Sequence, residues 1–224
     1  MRGLRGFSIS PEEREFIMEN IKTAKRFDVR RLVFSALMGA LAIVLSEVLK
    51  FGLPFMPPFI SFDFSDAPAM LASLTMGPIS GVSVCLVKNV WGCFTSSTGC
   101  VGELSNFILS AALVLPAGLM AHRTSKTSRA VAGALIGSAA MAAVSFPANY
   151  FIVYPIYAKV AMPMDAIVGM YKAILPSVEN LPQCLLIFNV PFTFAKGLIA
   201  SIFSVVLYKK LRPIFNSMYR QEST

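Results

Sequence analysis

The chain has 224 residues, 55% hydrophobic and only 14% charged, with a mean hydropathy of +0.66. Soluble domains carry about 25% charged residues, so these are too few to clothe a water-facing surface. The net charge of +8 does not point to nucleic acid: there is no aromatic–basic interleaving and no zinc-finger spacing, and the cations instead cluster at the ends of apolar runs, as in multi-span membrane proteins.

In chain order, residues 1–31 contain no apolar core of a signal peptide, and no cleavable leader is expected. Ser10, Pro11 and Glu13 read as the N-cap, first helical position and capping-box residue of a short helix. That helix would lie in a cytosolic arm over 1–29. The first span is RRLVFSALMGALAIVLSEVL, residues 30–49. Ser35, Ala36, Gly39 and Ala40 form a small-residue face on it, open either to a partner helix or to packing within the chain. KFGLPFMPPFISFDF (50–64) follows, where Pro54, Pro57 and Pro58 forbid a regular helix.

A short second span is expected over 65–76. Gly77 and Pro78 turn the chain into a third over 79–94. The polar loop TSSTGCVG leads to a fourth span over 103–121, and the basic loop HRTSKTSR to a fifth over 130–154. Residues 155–185 read as irregular apart from an amphipathic helix over 164–174. The sixth span is expected over 186–207, with a cytosolic tail over 213–224. Fifteen of the twenty Lys and Arg fall on the side of the N-terminus, three fall in the opposite loops, and Lys88 and Lys196 lie within spans. That bias orients the six-helix domain, 30–212, with both termini inside. No internal repeat is visible.

Charge inside a bilayer costs about 2.5–3.5 kcal/mol on insertion scales and marks sites. The polar residues in or beside the spans are Glu47, Asp63, Asp66, Lys88, Asn89, Glu103, Asn106, Asn149, Asn189 and Lys196. Glu47 and Glu103 lie near span ends and can meet water. Asp66 or Ser65 can cap the second helix, or Asp66 can serve a site. Lys88 can pair with Asp66 or Glu103. Lys196 is about ten residues, about 15 Å, from either end of its span, which is too deep for easy snorkelling. A protein interior or a polar ligand suits it better. The aromatics of 51–64 and Tyr150, Phe151, Tyr154 and Tyr157 can wall a cavity for a small, flat, uncharged ligand, or form an interfacial belt.

Cys85, Cys93, Cys100 and Cys184 contain no C-x-x-C pair and His122 is the lone histidine, which speaks against zinc. Cys93 and Cys100 can be bridged or free. No phosphate-binding loop, H-E-x-x-H or G-x-S-x-G is present, which disfavours an enzyme and leaves a transporter needing an outside energy source.

LPFMPPFISFDFSDAPAML, GPISGVSVCLVKN, TGCVGELSNF, PANYFIVYPIYAK and FNVPFTFAKG, with ALMGA in the first span and YKKLRP near the end, carry a family likeness. Over about 30–212 the chain resembles the substrate-binding S components of energy-coupling factor (ECF) vitamin transporters, within them the riboflavin-binding group. The resemblance implies an all-α bundle of six transmembrane helices in a bacterial cell membrane, with no cofactor and no metal. It implies riboflavin as the transported ligand, and as partners a transmembrane coupling protein and two ATP-binding-cassette ATPases. By position, the ligand site implied is Leu53, Phe55, Phe59 and Asp63 of the Pro-rich loop with Asn106, Asn149, Tyr150 and Lys196. The coupling-protein contact implied is Ala36 and Ala40.

Overall fold

The computed structural model describes residues 29–96, 99–121 and 126–220, with the side chains of residues 30 and 212–220 outside that description. The expected helix around Ser10 lies outside the described residues. Within them the regular structure is helical but for one two-stranded hairpin. The helices are α1 (Val29–Val48), α2 (Asp66–Met76), α3 (Pro78–Thr95), α4 (Val101–Ala121), α5 (Thr127–Ala148), α6 (Tyr154–Val160), α7 (Met164–Ile174), α8 (Leu181–Cys184) and α9 (Val190–Arg220). Two π-helical segments join them end to end: Asn149–Val153 links α5 to α6, and Leu185–Asn189 links α8 to α9. The hairpin pairs β1 (Phe51–Gly52) with β2 (Ser61–Phe62), Phe51 opposite Phe62, and so closes the Pro-rich loop on itself.

Among the described residues, four helical stretches are long and apolar enough to cross a membrane: Arg31–Val48, Val101–Ala121, Thr127–Val160 and Leu181–Leu211. α2 and α3 are not among them. α2 has 11 residues, about 16 Å against a hydrocarbon core of about 30 Å, and α3 carries Lys88 and Asn89. α2 is instead the centre of the bundle: ten of its residues are buried, and it packs on α1, α3, α4 and α9. Its reversal into α3 rests on Gly77, whose φ of 102° a side chain would resist. The α4–α5 crossing is close enough that a Cβ on Gly137 would stand 2.2 Å from the Leu113 carbonyl oxygen. Such small-residue crossings are the usual packing of helices in lipid.

Phe94, Ile79, Phe151 and Leu119 are among many large apolar side chains left exposed. In a chain with these spans, lipid rather than water meets them. Of the four long apolar stretches, α1 is the least buried. Gly39 and Ala42 turn inward, Gly39 against Val87 of α3, whereas Ala36 and Ala40 face out. The small-residue face is therefore divided between internal packing and an open surface.

Two expectations need adjustment. The stretch 155–185 is far more regular than expected, since the helix begun at Thr127 runs on to Val160 and α7 and α8 follow. The last helix runs past Leu207 to Arg220.

Candidate functional site

α2 brings two carboxylates to the centre of the bundle. Asp66 opens α2 but does not cap it. Its carboxylate accepts from Lys88 Nζ of α3 at 2.5 Å and from Ser110 Oγ of α4 at 2.5 Å. Ser65, at the N-cap position, makes no cap bond either; its hydroxyl accepts from Lys88 at 2.8 Å and donates to Asp63. Of the two partners open to Lys88, Asp66 has it. Glu103 accepts instead from Ser96 Oγ at 2.6 Å.

Lys196 answers this cluster from α9. Its ammonium lies 3.0 Å from Asp63 Oδ2, 3.3 Å from Asn106 Oδ1 and 3.4 Å from Asp66 Oδ2. Two carboxylates and two ammoniums thus balance in the buried interior, Lys88 and Asp66 at 1% and 0% side-chain exposure and Lys196 and Asp63 at 7% each. Burying a charge is tolerable only when it is paired in this way. Lys196 is neither snorkelling nor isolated.

Above this cluster lies a cavity of about 470 Å³, a size that holds a small organic molecule. Its floor is Asp63, Lys88, Asn106 and Lys196. Its walls include Phe59, Tyr154, Tyr157, Phe192 and Met141, and its rim carries Glu47, Lys50 and Glu103. Two asparagines enter it from the π-helical segments. Asn149 begins the first, accepts from Ser105 Oγ at 3.1 Å and donates to the Ser145 carbonyl at 2.9 Å. Asn189 ends the second, accepts from Tyr171 Oη at 2.6 Å and donates to Tyr154 Oη at 3.1 Å. Irregular turns of this kind recur at functional sites because they re-aim side chains out of the helical register. Burial pushes the Tyr171 phenol far above its ordinary pKa, so it stays a proton donor.

The residues expected at the site are thus divided among three places. Phe59, Asp63, Asn106, Asn149 and Lys196 converge on this cavity. Leu53 and Phe55 line a second, apolar crevice of about 540 Å³ between the hairpin loop and α9, against Phe62, Phe64, Ile187 and Ala195. Tyr150 lines neither and stacks on Phe146 at a ring separation of 5.8 Å. Thr193 was not foreseen. It lines the cavity and shares a hydrogen bond of 3.1 Å with Ser145. The spacing Asn189, Thr193, Lys196 carried the signal, because residues four and seven apart share one helical face. Cys93 and Cys100 are both free thiols.

The family of ECF transporter substrate-specific components matches residues 30–208. The riboflavin transporter RibU of Staphylococcus aureus (strain TCH60) is 32% identical over 182 residues, 81% of this chain and 90% of that protein. The riboflavin transporter FmnP of Bacillus subtilis (strain 168) is 26% identical over 189 residues, 83% of this chain and 93% of that protein. A solved S component of a bacterial ECF transporter superposes with a TM-score of 0.64 at 31% identity, covering 83% of this chain and 96% of the other.

Proposed function

The chain belongs to the substrate-specific components of ECF transporters, a non-enzymatic family of multi-pass membrane proteins, and on that footing we propose that its substrate is riboflavin. The observation that carries the reading is the cavity itself, in which aromatic walls meet a small set of convergent amide and ammonium groups over a charge-balanced floor. Riboflavin asks for this combination. Its isoalloxazine ring is flat and largely apolar and lies well against Phe and Tyr faces. Its pyrimidine edge alternates carbonyl acceptors with an N–H donor, which an Asn amide can meet on both counts. Lys196 supplies a donor for a carbonyl or a ribityl hydroxyl while Asp63 and Asp66 hold its charge neutralised. A neutral ligand then enters without leaving an unpaired buried ion. The names of the similar proteins support the same substrate.

The six helices run with both termini inside, so that the cavity opens outward and Lys126, Arg129, Lys209 and Lys210 lie on the cytosolic side. α2 and α3 count as two of the six spans in this reading: both pack against α1 and α4, α2 with ten of its eleven residues buried and α3 with one face buried and the other open to lipid. The exposed Ala36 and Ala40 offer α1 to the coupling protein, whose two ATPases supply the energy this chain lacks. The site residues are Phe59, Asp63, Asn106, Asn149 and Lys196, with Leu53 and Phe55 shaping the loop that covers it. Purification in detergent from riboflavin-fed cells tests the substrate. A flavin absorption band that persists through gel filtration supports it. Colourless protein that instead retains another vitamin overturns it.

A further inference from the structure

Tyr171 lies outside the cavity, on α7, yet it touches three of the segments that build it. Its hydroxyl bridges Tyr154 Oη of α6 and Asn189 Oδ1 at the foot of α9, both at 2.6 Å. Its ring meets Phe59 of the Pro-rich loop edge-on at 6.2 Å and Phe188 at 5.3 Å. Phe59 in turn lies 5.5 Å from the Tyr157 ring. Tyr171 is fully buried although α7 is a surface helix, and with Ile167 it is one of two α7 residues that are. Tyr154, Asn189 and Phe59 line the cavity, so the position of each depends on a residue that does not.

We propose that Tyr171 is a positioning residue for ligand binding, the hydrogen-bonding tie by which α7 holds the aromatic wall and Asn189 in place. The proposal deepens the riboflavin reading and rests on it for its ligand. The physical reason is the closed ring of hydrogen bonds. Asn189 spends its carbonyl on Tyr171 and its amide on Tyr154, so the amide plane is locked. Removing the Tyr171 hydroxyl leaves the Asn189 carbonyl without a donor and frees that plane to rotate.

The test uses Tyr171→Phe, which keeps the ring contacts with Phe59 and Phe188, in the full chain in detergent. Two readouts are taken. In the first, riboflavin dissociation is followed by fluorescence, with an expected rise of about tenfold in off-rate and little change in on-rate. Tyr208→Phe, a buried tyrosine of α9 remote from the cavity, serves as control and leaves both rates unchanged. The second readout needs no ligand. Cys184 is fully buried in the same cluster as Tyr171 and Ile167, and its maleimide labelling is followed by peptide mass mapping. It is expected to label several-fold faster in Tyr171→Phe than in the wild type. If off-rate and labelling both match the wild type, the tie is overturned. If Tyr171→Phe slows association and dissociation alike with labelling unchanged, the residue is merely structural and the proposal also falls. If the wild type binds no flavin at all, the riboflavin reading fails, and the Cys184 labelling rate alone decides for or against the tie.

Discussion

Replacing Lys196 by methionine removes one ammonium from a cluster of four buried charges and keeps most of the side-chain volume. Asp63 and Asp66 then face Lys88 alone, which is 2.5 Å from Asp66 and already committed to it. Breaking a buried pair by deleting one partner costs about 3–5 kcal/mol, a large share of the about 5–15 kcal/mol that holds a typical domain together. Lys196→Met is therefore expected to melt well below the wild type. Adding Asp63→Asn removes the surplus negative charge while keeping an acceptor for the Ser65 amide, so the double variant recovers much of the lost stability. Affinity behaves differently. If Lys196 also donates to the ligand, the lost charged hydrogen bond is worth about 1.5–3 kcal/mol, about 10- to 150-fold in Kd, and Asp63→Asn does not return it. The assays are a thermal melt without ligand and a flavin fluorescence titration on the four proteins of the cycle. Restored affinity in the double variant would mean that Lys196 acts only by holding Asp63. A single variant that melts and binds as the wild type does would refute the ion-pair argument altogether.

Asn149→Ala removes an amide that reaches the cavity from the first π-helical segment. It is expected to weaken riboflavin binding by up to about tenfold, the worth of one neutral hydrogen bond, with a lowered melting point because the bonds to Ser105 and Ser145 go with it; unchanged affinity takes Asn149 out of the site. Ala40→Trp places a bulky ring on the exposed face of α1 and is expected to leave flavin binding by the isolated protein intact. Co-purification with the coupling protein and its ATPases should be lost, and retention of the full complex removes that face from the docking surface.

Much of this architecture was legible because the apolar runs and the Gly77–Pro78 turn follow directly from a lipid solvent. The amphipathic helix at 164–174 could be read from an apolar run broken by Asp165 and Lys172, and α7 lies there. What periodicity could not supply was continuity. Asn149–Val153 winds as π-helix and carries the helix straight on into Pro155, which looks like a break, and Pro182 falls in the first turn of α8, where a missing N–H costs nothing. The pairing choices were equally hidden. Lys88 had two carboxylates in reach along the chain, and only the placement of α2 at the bundle centre selects Asp66 over Glu103. Lys196 was conspicuous as a charge about mid-span, but its partners lie 133 and 90 residues away at Asp63 and Asn106. Leu53, Phe55 and Tyr150 belonged to the right segments, and the hairpin β1–β2 and the stacking on Phe146 turn them elsewhere.

On the proposed reading, one riboflavin molecule fills the cavity over the Asp63–Lys196 pair. Titrating riboflavin into detergent-purified, ligand-free protein while following flavin fluorescence tests it most directly. Saturable quenching at one flavin per chain is expected, lost or strongly weakened in Lys196→Met. An unquenched, non-saturating signal from protein that remains folded would contradict it.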